Sequence, residues 1–138
     1  MNEPTNQMSA QEIRKQILKA QDLPEETVQA WGLTLTVRGL SGADRDTWQS
    51  SLVRVQGEDV IPNPANASAK LVAKCIVDPK SHKRVFSDAD INELGKKSGR
   101  ELNKVYKLAA RLSGIGEDTL EALEKNFESG QDGDSLTD

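Results

Sequence analysis

Residues 33–38, Leu33-Thr34-Leu35-Thr36-Val37-Arg38, alternate apolar and polar side chains with a period of two. Alternation of this kind marks a strand with one buried face. Residues 26–30 alternate more weakly, and Trp31-Gly32 stands between the two runs as a turn, so 26–38 reads as one β-hairpin. A lone hairpin is marginal in water. The face carrying Leu33, Leu35 and Val37 must therefore lie on helices of the same chain or on the sheet of another subunit.

The surrounding sequence supplies the helices. Ser9-x-x-Glu12 and Ser98-x-x-Glu101 have the spacing of capping boxes, and Ser41 and Ser87 stand as further N-caps. The first helix carries Ile13, Ile17 and Leu18 and stops near Asp22, ahead of Pro24. A second runs from Ser41 to about Val55 with Trp48, Leu52 and Val55 as its inward stripe. Residues 56–64, with Gly57, Pro62 and Pro64, read as a loop. An Ala-rich helix over 65–76 turns Leu71, Val72, Cys75 and Ile76 inward. Asp78-Pro79-Lys80-Ser81 is a turn that leads to a short extended Arg84-Val85-Phe86. Helices follow over 87–95, with Ile91 and Leu94 inward, and over 98–112, with Leu102, Val105, Tyr106, Ala109 and Leu112 on one face. After the Gly114-Ile115-Gly116 break, a last helix over 117–127 carries Leu120, Leu123 and Phe127. The fold expected is mainly α, of the α+β class: about six short helices packed around one β-hairpin at 26–38. It forms a single domain over 9–128, with a disordered N-terminus at 1–8 and a disordered acidic tail at 129–138.

Composition argues against catalysis. The 138 residues hold one Cys and one His, too few for a disulfide framework or a structural zinc site within one chain. Cys75 falls in an apolar stripe and reads as a buried thiol, and His82 reads as a solvated loop residue with no orienting carboxylate nearby in sequence. Asp88 and Asp90 sit where a helix start favours carboxylates. Gly114-Ile115-Gly116 lacks the ending of a phosphate loop. No catalytic, cofactor-binding or metal-binding residue is expected, and no cofactor. No apolar run is long enough for a membrane span or a secretory segment, so a cytoplasmic protein is expected.

Charge is the remaining signal. The net value of −4 divides into −3 over residues 1–68, +6 over 69–116 and −7 over 117–138. Arg100, Lys104, Lys107 and Arg111 recur at i, i+4, i+7 and i+11, one stripe on the helix opposite its apolar face. A pI near 5.1 and the lack of interleaved aromatics argue against nucleic acid as its partner.

Several motifs together resemble one family. Val37-Arg38-Gly39-Leu40-Ser41 with Asp44-Arg45-Asp46, Val77-Asp78-Pro79 with Arg84-Val85-Phe86-Ser87-Asp88-Ala89-Asp90, Lys97-Ser98, and Arg111-Leu112-Ser113-Gly114 are similar to the tail assembly chaperones of long-tailed phages and prophages. The similarity covers roughly residues 33–129, including Glu124-Lys125-Asn126-Phe127-Glu128. It implies a non-enzymatic factor of the host cytoplasm that binds the tape-measure protein, keeps it soluble, helps recruit tail-tube subunits, and is absent from the finished virion. Such a client calls for apolar grooves and several chaperone copies along its length, so a homo-oligomer is compatible with the reading. The partner-binding residues expected are Trp31, Leu33 and Leu35 at the hairpin edge, and Arg100, Lys104, Lys107 and Arg111 in the stripe. A structural tail or neck protein and a small DNA-binding regulator are the competing classes.

Overall fold

A computed structural model describes residues 8–63 and 65–116. The expected helix over 117–127, the tail at 129–138 and nearly all of the N-terminal segment 1–8 lie outside them. The fold is a small α+β domain. Its elements run α1 (Ala10–Lys19), β1 (Glu25–Ala30), β2 (Leu33–Arg38), α2 (Gly42–Ser50), β3 (Val53–Gln56), β4 (Asp59–Pro62), α3 (Ala67–Cys75), β5 (Ile76–Val77), a 3₁₀ turn (Asp88–Asp90), α4 (Ile91–Gly95) and α5 (Gly99–Leu112).

The predicted hairpin forms, and Ala30 pairs with Leu33 across the two-residue turn Trp31-Gly32. Both turn residues have positive φ, 53° and 73°, the geometry whose twist matches that of the flanking strands. Glycine adopts it freely, whereas Trp31 must be held there. A third strand, β5, pairs with Thr36 and Val37, giving a sheet of order β1-β2-β5. Sequence periodicity placed Ile76 in the preceding helix. The backbone instead turns extended at Ile76, with ψ of 124°, directly after α3.

Residues 53–62 depart further from expectation. Instead of a helix running to Val55 and a loop, they form a second antiparallel hairpin, β3–β4, in which Gln56 pairs with Asp59. Gly57, at φ 66°, opens its turn. Helix α2 ends at Ser50, so Trp48 and Leu52 are buried as expected but Val55 is 73% exposed on a strand.

The core lies between the three-stranded sheet and two helices. Leu71, Val72, Ala73 and Cys75 of α3 are fully buried, and α3 packs against α5, which also lies on β1 and β2. Leu102, Val105 and Ala109 of α5 point inward, joined by Ala110, while Tyr106 and Leu112 are half-buried. Trp48 fills the space beside α3, its Nε1–H donating to the Ala67 carbonyl at 3.1 Å and its ring tilted 56° to that of Tyr106. The hairpin face therefore does lie on helices of its own chain. The two ends of the sheet differ: Val37 is fully buried, Leu35 half-buried and Leu33 58% exposed.

The connection from β2 to α2 locks this arrangement. Gly39 N–H donates to the Pro24 carbonyl at 2.9 Å, and Leu40 N–H donates to Ser113 Oγ at 2.9 Å, just beyond α5. Gly39 lies so close to the Leu112 backbone that a Cβ there would collide with the carbonyl.

Candidate functional site: an apolar groove at the open edge of β2

Strand β5 stops after two residues, and the reason lies in the turn that follows. The Asp78 carboxylate accepts from the backbone N–H groups of Lys80 and Ser81 at 2.8 and 2.9 Å, which holds its carboxyl below the ordinary range. Pro79 offers no N–H to a neighbouring strand. Past Thr36, toward Leu33, the outer edge of β2 therefore has no strand beside it among the described residues.

That edge borders an open, largely apolar groove of about 610 Å³. Trp31, Leu33 and Leu35 line it from the hairpin, Ile76, Val77 and Pro79 from β5 and its turn, Val85 and Phe86 from the extended segment, and Leu94 from α4. Asp78, Asp90, Glu93 and Lys97 add charged groups. Arg84 sets the segment that carries Phe86: its guanidinium donates to the Ala73 carbonyl at 3.2 Å and to Asp88 at 3.0 Å. The guanidinium also lowers the pKa of the Asp88 carboxyl. Asp90 accepts from Ser87 N–H at 2.9 Å and closes the capping box at the start of the 3₁₀ turn.

All three expected apolar site residues thus share one groove. Sequence reading missed Val85, Phe86, Leu94 and Lys97 as its other walls; an aromatic beside a valine in a short extended segment was the available signal for the first two.

The four cations of the stripe do not act alike. Lys104 pairs with Glu101 at 2.7 Å, and Arg111 forms a two-pronged pair with Glu26 at 2.8 and 3.2 Å. The Arg111 pair lowers the Glu26 pKa and raises that of Arg111. Arg100 and Lys107 are exposed and make no ion pair among the described residues. Half of the stripe is therefore committed within the chain, and half faces outward.

Glu101 joins stripe and groove. The second capping box is only half made: Ser98 Oγ accepts from Glu101 N–H at 3.4 Å, but the Glu101 carboxylate turns away to accept from the Trp31 N–H at 2.6 Å. Lys104 and then that amide hold its carboxyl below the ordinary value of 4.5. One side chain thereby pins the left-handed turn residue Trp31 to the start of α5. A carboxyl whose pKa is depressed by folding stabilises the fold above its unfolded pKa and loses that contribution as pH falls through the folded value. Amide exchange at Trp31, measured from pH 6 downward after correction for intrinsic rates, is expected to show falling protection below about pH 4.5. Glu101→Ala is expected to show weak protection throughout.

No family model, curated protein or solved structure matches the chain.

The single Cys and the single His of the chain, Cys75 and His82, are not among the groove's lining residues. Burial pushes the Cys75 thiol up to about 12, and its sulfur lies 4.0 Å from Ser113 Oγ, so it stays a thiol in the core. His82, at φ 62°, is the exposed loop residue expected, and its Nδ1 lies 2.6 Å from Glu25 of β1. Fifty-seven residues separate the two in sequence, which is why only the fold reveals the pair. Among the described residues no helix is long and apolar enough to cross a membrane.

Proposed function

We propose that the chain is a non-enzymatic tail assembly chaperone that receives an apolar segment of the tape-measure protein in the groove beside β2. The observation that carries this reading is the groove itself: a partly exposed apolar surface built on the β1-β2-β5 sheet, bordered by a stretch of β2 edge with no strand beside it among the described residues. Exposed apolar patches of this kind mark protein-binding surfaces. The motif resemblance supplies the kind of client. Arg100 and Lys107 stand on the helix whose first turn holds Trp31, and they meet carboxylates along the client and guide its approach more than they hold it. Recruitment of tail-tube subunits, action in the host cytoplasm and absence from the mature virion belong to the same proposal.

Binding of a tape-measure fragment to the full chain, followed by calorimetry, tests it. Leu33→Asp, at an exposed groove position, is expected to weaken binding by at least about tenfold, in the range of a lost apolar anchor. Arg100→Glu with Lys107→Glu is expected to slow association and to flatten its salt dependence, with a smaller loss of affinity. Unchanged affinity for Leu33→Asp would show that the client does not bind in the groove. Salt-dependent binding of duplex DNA by the full chain, with no affinity for the fragment, would favour a regulator instead.

A further inference from the structure

Helix α1 is well formed and makes no extensive contact with any other element among the described residues. Ser9 Oγ caps it by accepting from Glu12 N–H at 3.1 Å, yet none of its residues is buried. Ile13 and Ile17 lie one turn apart on one face with Leu18 at its side, and Ile17 and Leu18 are each 67% exposed. Arg14 projects between Ile17 and Leu18 around the helix, and Lys15 and Lys19 add positive charge against the single carboxylate of Glu12. An isolated ten-residue helix is marginal in water, so an amphipathic helix of this length calls for a surface to cover its apolar face.

The same chain offers a matching surface. The groove beside β2 is apolar, and its charged groups are three carboxylates, Asp78, Asp90 and Glu93, against the single ammonium of Lys97. A cationic amphipathic helix and an acidic-rimmed apolar groove are complementary in both respects. In the structure the helix is not seated in its own groove: its apolar residues stay exposed and the groove stays open. Residues 20–24, all exposed, join α1 to the end of the hairpin where Glu25 pairs with Arg38, away from the Trp31-Gly32 turn.

We infer that α1 of one copy docks in the β2 groove of a second copy, with Ile13 and Ile17 inserted and Arg14 facing the carboxylates at the rim. Reciprocal exchange gives a closed two-fold dimer with two helix-in-groove contacts, the route by which an interface small in each half reaches the roughly 1,000 Å² of a specific complex. The inference does not depend on the tape-measure reading, because self-association is measured without any client. Where both hold, the client displaces α1.

Sedimentation velocity on the full chain from low to high micromolar concentration is expected to show a monomer–dimer equilibrium. Ile13→Asp with Ile17→Asp is expected to weaken the dimer by at least about tenfold while leaving the urea midpoint of the monomer unchanged, since no residue of α1 is buried. A wild-type chain that stays monomeric, or a double variant that dimerises as well as the wild type, would overturn the proposal. A chain bearing Ile17→Cys and Leu33→Cys, both at exposed positions, treated with a short bismaleimide, separates the alternatives; the buried Cys75 thiol stays unreactive. A product of twice the chain mass supports exchange between copies. A cross-link closed within one chain, or none, overturns it.

Discussion

Trp48→Ala is expected to lower the unfolding free energy by about 3–5 kcal/mol, the range for removing a fully buried large aromatic. Its ring is inaccessible to solvent, stands against Tyr106, and donates its N–H to the Ala67 carbonyl at the start of α3. Alanine leaves a cavity beside α3 and deprives that carbonyl of its donor. A domain of this size has only about 5–15 kcal/mol in total, so urea unfolding should show the loss as a large fall in midpoint. Val55→Ala is the matched control. Helical spacing puts Val55 on the same stripe as Trp48 and Leu52, but the side chain is exposed on β3. Its substitution should change stability by no more than about 0.5 kcal/mol. Equal costs at the two positions would mean that the helix continues through Val55 and that the second hairpin does not form.

Gly39→Ala is expected to cost about 3 kcal/mol. The added methyl would strike the Leu112 carbonyl, and a backbone atom cannot move aside as a flexible side chain does. Relief requires the end of α5 to shift, and that shift strains the Leu40 to Ser113 bond and the Gly39 to Pro24 bond. Gly42→Ala, three residues on, meets open space at the start of α2, and replacing glycine in a helix is expected to be neutral or stabilising by up to about 1 kcal/mol. Thermal unfolding of the two variants beside the wild type gives the comparison; similar melting temperatures would show that α5 does not press on the β2–α2 connection.

Part of this architecture is legible in the sequence. The β1–β2 hairpin was legible because alternation, a turn dipeptide with glycine and a buried-face requirement all agreed. The apolar faces of α3 and α5 were legible for the same reason. Strands β3 and β4 were not: Val53-Arg54-Val55-Gln56 alternates for only four residues, and Trp48, Leu52 and Val55 fit a helical stripe equally well. Strand β5, two residues long, carries no period at all. At the candidate site, Trp31, Leu33 and Leu35 were readable as an apolar edge lacking cover. The walls opposite them come from residues 76–97, and their convergence depends on where a turn held by Asp78 and an Arg84 bridge to Asp88 place the chain. The stripe was visible as spacing. That Glu101 and Glu26 neutralise half of it depends on which residues of α5 and β1 the fold sets side by side.

In the proposed function the groove beside β2 receives the tape-measure protein. The most direct measurement is the nitrogen–proton correlation spectrum of the labelled full chain during titration with a tape-measure fragment. The largest shifts are expected at the Trp31 backbone and indole N–H groups, Leu33, Leu35, Phe86 and Lys97, with smaller salt-sensitive shifts at Arg100 and Lys107. Shifts confined to the β3–β4 hairpin, or a spectrum unchanged at saturating fragment, would contradict it.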